Sequence, residues 1–194
     1  MEEKSTQLID GSFKIIFGAL GSIFAGLLFF KLMIFNFHHP AFEFITGGIY
    51  GAVFFSLLPK FDLKRQILTL IAVIFLNVVI MGKPYYFSFI VRDAVLITVL
   101  FISIKAYLLF INGNKNLSLF IRAFGLSVIN AVATAAGVFL LALSVERFDF
   151  SYLPRILLIN AETAALIGLG LGLGFDAWEY LRQKFLKDKL VKQL

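Results

Sequence analysis

The sequence predicts an all-α polytopic membrane protein: a bundle of six transmembrane helices followed by a short cytoplasmic amphipathic helix. Three observations carry this. The 194 residues are 60% hydrophobic and only 15% charged, against about 45–50% and about 25% in soluble domains. The apolar residues gather into six segments, each near or above the roughly 20 residues that cross a hydrocarbon core. The Lys and Arg residues fall mainly on one side of those segments, as the positive-inside rule requires of a multi-pass protein.

In order, the helices are expected at 12–36, 42–59, 65–82, 88–111, 118–144 and 154–177. The first reads as a retained span. Ser12–Phe35 is too long for a signal-peptide core, and Met1–Asp10 carries acids as well as Lys4. The second and third are the shortest, with Pro59 and Pro84 at their ends. Short polar turns around Asn36–Pro40, Lys60–Lys64, Gly82–Pro84, Asn112–Asn114 and Glu146–Asp149 join the six. Phe87-Ser-Phe-Ile-Val-Arg92 and Phe150-Ser-Tyr-Leu-Pro-Arg155 enter the fourth and sixth helices alike, with a poorer copy from Pro40 to Phe44. Three related hairpins are one reading of this repeat; the ordinary composition of interfacial loops is the other.

Six spans put both termini on one side. That side holds 13 of the 18 Lys and Arg residues: Lys4, Lys14, Lys60, Lys64, Arg65, Lys105, Lys115, Arg122, Arg182, Lys184, Lys187, Lys189 and Lys192. Lys31, Lys83, Arg92, Arg147 and Arg155 make up the other five. Both ends are therefore expected in the cytoplasm, with the chain in the inner (cytoplasmic) membrane. Residues 1–177 form the membrane domain and 178–194 a basic tail. In that tail Trp178, Leu181 and Phe185 share a face, and Trp178 and Tyr180 are expected at headgroup level.

Small residues mark the packing faces, because they let helix backbones approach in a bilayer. They are Gly18, Ser22 and Gly26 in the first helix and Gly47 and Gly51 in the second. Gly168, Gly170, Gly172 and Gly174 in the sixth are two overlapping GxxxG pairs on different faces. Packing within the chain is one use of these faces; docking of a partner subunit is the other.

Composition also excludes. With no cysteine there are no disulfides and no thiolate sites. The net charge of +6 flanks membrane segments, so nucleic acid is not an expected partner. HExxH, GxSxG and paired-aspartate motifs are missing, and the glycine alternation lies inside an apolar span with no strand before it. The expectation is therefore a non-enzyme without cofactor. His38, His39 and Glu43 are too few, and too interrupted by Pro40, for a metal site to be expected.

Ionisable groups inside a membrane are costly and so are functional candidates. Glu162 lies roughly two turns into the sixth helix, too deep for a short carboxylate to reach the surface. Arg92 and Asp93 lie about one turn into the fourth, pointing about 100° apart, and are not expected to pair with each other. Arg92 is long enough to reach the depth of Glu162. With Asn77, Asn130, Asn160 and Thr163 these residues suggest a polar pocket in the outer half of the bundle. Interhelical hydrogen bonding without a pocket is the competing reading. Lys105 and Lys31 can snorkel.

The leading functional expectation is a small-molecule transport subunit that binds a polar or cationic ligand from outside. The six-helix layout and length, the ends on one side and the Gly18/Ser22/Gly26 stripe are similar to the substrate-binding component of energy-coupling-factor transporters. That resemblance implies an outer-face ligand site, a coupling subunit docked on the first helix and energy from a separate ATPase. The family favours alanine in the stripe where this chain has glycine and serine, and no ligand-specific motif matches. The second expectation is a non-catalytic scaffold or assembly subunit among other membrane proteins. The third is a homo-oligomeric channel or proton-coupled carrier in which Glu162 titrates.

Overall fold

A computed structural model describes residues 2–29, 40–81, 87–113, 117–144 and 149–191. Among these there are six α-helices and no strand: α1 (Glu2–Phe29), α2 (Pro40–Leu57), α3 (Leu63–Met81), α4 (Phe87–Gly113), α5 (Leu119–Leu143) and α6 (Leu153–Val191). Four carry stretches long and apolar enough to cross a membrane: Asp10–Leu28, Ile90–Gly113, Phe120–Leu143 and Phe150–Phe185. A shorter apolar helix runs Phe44–Lys60. α3 is not among these stretches; Lys64 and Arg65 open it, and an apolar run follows.

Local chemistry sets the ends. A 3-10 turn, Leu58–Lys60, carries Pro59 and stops α2. Gln66 donates from Nε2 to the Leu58 and Phe61 carbonyls, 2.9 Å each, and clamps that turn to α3. Asp62 accepts from the Arg65 amide at 2.9 Å, and the Ser118 hydroxyl accepts from the Ile121 amide, so both cap free helix donors. A second 3-10 turn, Phe150–Tyr152, leads into α6 under Asp149, whose carboxylate accepts from the Ser151 amide at 2.9 Å. The matching Phe87-Ser-Phe segment is already α-helical, so the two sequence copies are built differently.

Consecutive helices run in opposite directions. α6 lies between α1 and α5, α2 covers α1, α4 and α6, and α4 packs on α5. α3 sits at the margin, resting on α4 and touching α2. The three hairpins are thus unequal: α5 and α6 are in intimate contact, while α3 and α4 are loosely joined. The core holds Phe54, Ile104, Leu126 and Leu171, all fully buried. Phe55 stacks on Phe175 at 3.9 Å, and Phe54 meets Phe101 edge to face at 5.4 Å.

Glycine makes the α1–α6–α5 contact possible. A methyl group on Gly170 would strike the Gly21 carbonyl, and one on Gly174 the Phe17 carbonyl. One on Gly168 would stand 2.8 Å from the Leu126 carbonyl, and one on Gly172 2.6 Å from the Ala123 Cα. One GxxxG pair therefore faces α1 and the other α5, as the spacing predicts. Gly18 lies under Phe175, Gly26 under Phe44, Gly47 under Ile167 and Gly51 under Leu171. Fully buried Ser22 donates to the Phe44 carbonyl at 3.3 Å. The first-helix stripe is covered by the chain's own α2 and α6, which closes the docking face that the transporter resemblance implies.

The surface is inverted relative to a water-soluble bundle. Phe24, Leu27, Phe75, Leu109, Phe120, Val132 and Tyr180 are all more than half exposed, while Asn77, Ser103, Ser127, Asn130, Thr134 and Thr163 are buried. α6 runs unbroken across residue 177 to Val191. Its 39 residues extend about 58 Å, well beyond a hydrocarbon core.

Candidate functional site

The polar residues expected in one pocket fall into separate settings. The first is a hydrogen-bonded chain across α2, α3 and α4. The Tyr50 hydroxyl donates to Asn77 Oδ1 at 3.0 Å, and Asn77 Nδ2 donates to Asp93 Oδ2 at 3.3 Å. Arg92 then grips Asp93 Oδ1 through Nε and Nη2, at 3.1 and 3.0 Å. This corrects the expectation that Arg92 and Asp93 do not pair. The Cα–Cβ directions diverge by about 100°, but the flexible arginine stem folds round its neighbour. Asn77 is buried and Asp93 nearly so, while the Arg92 side chain is 52% exposed. Tyr50 was missed from sequence. Its signal is a phenol inside an apolar helix, whose hydroxyl needs a partner when buried.

The second setting joins α5 to α6. Asn130 Nδ2 donates to the Ala164 carbonyl and the Ser127 hydroxyl to the Ala165 carbonyl, both at 2.8 Å. Asn130 Oδ1 is buried without a partner among the described residues. Thr163 is buried. Asn160 spends its amide on its own helix, donating to the Ile156 carbonyl at 2.8 Å.

Glu162 belongs to neither. The exposed positions Arg155, Leu158, Leu173, Ala177 and Tyr180 of α6 fall on one helical face, and Asn160, Ala161 and Ala165 are partly exposed as well. The inward faces carry Ile159, Thr163, Ala164, Ile167, Leu171 and the four glycines. Glu162 is partly exposed on the side of Leu158 and Leu173. Its Oε2 is covered and has no hydrogen-bond partner among the described residues.

A polar cluster at the end shared by the termini was not anticipated. Trp178 Nε1 donates to Asp10 Oδ1 at 3.0 Å, and Arg182 Nε lies 3.2 Å from the same oxygen. The Trp178 ring stacks on Phe13 at 4.9 Å and tilts against Phe17 at 5.5 Å. Lys14 Nζ sits 4.7 Å over the Phe55 ring. Asp10, Lys14, Trp178, Glu179 and Arg182 line a small open cleft. Nearby, Asp176 is 9% exposed and feels the charges of Arg122 and Glu179. Trp178 thus fastens α6 to α1.

His38 and His39 lie outside the described residues, as does the side chain of Glu43. Among the described residues no three His, Asp or Glu side chains gather as metal ligands. Comparison of the chain with protein-family models, with curated proteins and with solved structures finds no match.

Proposed function

We propose that the protein is an integral membrane subunit that crosses the inner membrane six times, with both ends cytoplasmic, and assembles non-catalytically with other membrane proteins. The observation that carries the assembly reading is Glu162, a partly exposed carboxylate well inside α6 whose covered Oε2 has no hydrogen-bond partner among the described residues. A bilayer offers such a group no hydrogen-bond donor, which favours a contact supplied by an assembly partner. Support for the orientation is that α1's start, α6's end and the α2–α3 turn lie at one end, where a methyl on Gly11 would stand 3.3 Å from Lys60 Nζ. That end carries most of the basic residues.

A second reading keeps the transport subunit. It is favoured by the Tyr50–Asn77–Asp93–Arg92 chain, whose arginine end is half exposed and so offers a polar ligand a charged, hydrogen-bonded anchor.

Purification in mild detergent, with mass spectrometry of co-purifying proteins and small molecules, separates the two. Protein partners that are lost in Glu162→Gln and kept in Asp93→Asn support assembly. A bound small molecule lost in Asp93→Asn, with no protein partner, supports transport and removes the assembly reading.

A further inference from the structure

At the end shared by the termini, two lysines from different helices meet on one face of α1. Lys14 projects from α1, and its Nζ sits 4.7 Å over the Phe55 ring of α2. Lys60 closes the 3-10 turn after α2 and reaches back to α1, where a methyl on Gly11 would stand 3.3 Å from its Nζ. Gly11 and Lys14 are three residues apart, so they share a face with about 4.5 Å of rise between them. Among the described residues the ion pairs are Arg92–Asp93 and Arg182–Asp10, and neither lysine has an acid within ion-pair distance. Asp10 is spent on Trp178 and Arg182. Lys14 feels two acids, Asp10 and Glu179, and two further bases, Lys60 and Arg182. With Lys14 itself, three positive charges stand against two negative ones.

Two ammonium groups held on one face without an acceptor repel each other, and an anion between them turns that repulsion into attraction. Position says which anion. The apolar stretch of α1 begins at Asp10 and that of α2 ends at Lys60, so both lysines stand where hydrocarbon gives way to headgroups. Lys60 is exposed and Lys14 half-buried. Above Lys60, α2 leaves Leu57, Val53, Ile49 and Ile45 partly or largely open, four residues apart. They form an apolar track about 18 Å long. A soluble phosphate ester would find the lysines but has nothing to lay on the track; a phospholipid fits both.

We propose that Lys14 and Lys60 hold the phosphate of an anionic phospholipid in the leaflet on the side of the termini. One phosphodiester oxygen accepts from each ammonium, and an acyl chain lies along Leu57, Val53 and Ile49. The lipid ties α1 to the turn between α2 and α3. Phosphatidylcholine is disfavoured because its own cation meets the lysines. The site requires that the chain lie in a bilayer, and it is independent of whether the protein serves assembly or transport.

The full chain, purified in mild detergent, is offered phosphatidylglycerol and phosphatidylcholine in equal amounts, and native mass spectrometry counts the lipids retained. Lys14→Gln and Lys60→Gln should each lower the preference for phosphatidylglycerol about fivefold, the scale of one basic residue at an anionic membrane surface. Lys60→Arg should keep the preference. Lys64→Gln, which removes the same charge from an exposed position on the next helix, should also keep it. Lys14→Gln gives up the contact with Phe55 as well, so Lys60→Gln in the exposed turn is the cleaner variant, and its melting in phosphatidylcholine alone should match the wild type. Equal retention of the two lipids overturns the proposal. So does a preference that Lys64→Gln weakens as much as Lys60→Gln, because net charge would then account for it. In a second arm, phosphatidylglycerol should raise the melting temperature of the wild type, and glycerol phosphate at the same concentration should not. Equal protection by both, lost in Lys60→Gln, makes a soluble phosphate ester the occupant and overturns the lipid site.

Discussion

Two sides of this bundle are held by different means. On the α1–α6–α5 side, glycines bring backbones into contact, so that added methyls at Gly170, Gly174, Gly168 and Gly172 would meet main-chain atoms. On the α3 side there is little close packing, and Asn77 reaches out to Tyr50 and Asp93 instead. In lipid, apolar surfaces gain little from each other that acyl chains would not give, so association rests on tight van der Waals fit or on polar contacts. Small residues permit the first. Where larger side chains hold helices apart, hydrogen bonds supply the second. α3 shows the consequence, with Leu63, Ile67, Leu68, Ile71, Phe75, Leu76 and Val79 all exposed to the surroundings.

That contrast can be broken most severely at Gly170. Gly170→Leu forces α1 and α6 apart and should cost about 3 kcal/mol or more, the upper range for overpacking. Thermal unfolding in detergent should show it as a large drop in melting temperature. A change no greater than that of a surface substitution would mean the helices are not in backbone contact.

Next comes the clasp at the end of the same pair. Trp178→Ala removes the stack on Phe13 and the bond to Asp10. For a half-buried tryptophan the loss should be about 2 kcal/mol, below the full cost of a buried one. Proteolysis of the terminal segments, monitored by mass spectrometry, should quicken while the membrane core stays protected.

The polar side should respond more gently. Asp93→Leu takes the acceptor from Asn77 and Arg92 at once, and the expected cost is about 1 kcal/mol. The melting temperature should fall less than for Gly170→Leu. An equal fall would erase the distinction between the two sides.

The smallest effect lies outside both, at Asp149. The hydrogen bonds from Ser151 hold its carboxyl below the usual carboxylate range. A folded-state value below the unfolded one means the stabilisation is present above the unfolded value and lost as pH falls through the folded one. Melting of the wild type should therefore lose a small increment on acidification that Asp149→Asn lacks.

Much of the architecture is legible in sequence because glycine spacing and turn chemistry act locally. Gly168/Gly172 and Gly170/Gly174 point to two partners because i and i+4 share a face and i+2 does not. The face of Glu162 was harder. Both sides of a membrane helix are apolar, so hydrophobicity does not separate inside from outside. Residue size does in part: placing the glycines and Ala164 inward leaves Leu158 and Leu173 outward and Glu162 partly exposed beside them. The Arg92–Asp93 pair, the Lys14–Phe55 contact and the Trp178–Asp10 bond depend on side-chain conformation and on partners far along the chain, which spacing does not encode.

The most direct test is a spin-label scan of α6, made simple because the chain has no cysteine. Single cysteines are placed from 158 to 173, and the purified protein is reconstituted alone in nanodiscs. Collision with dissolved oxygen, which concentrates in lipid, should peak at Leu158 and Leu173, remain detectable at Glu162, and dip at Ile159, Thr163, Ile167 and Leu171. A label at 162 that is silent to oxygen, or that responds instead to a water-soluble relaxant, would place the carboxylate inside the bundle and contradict the assembly reading.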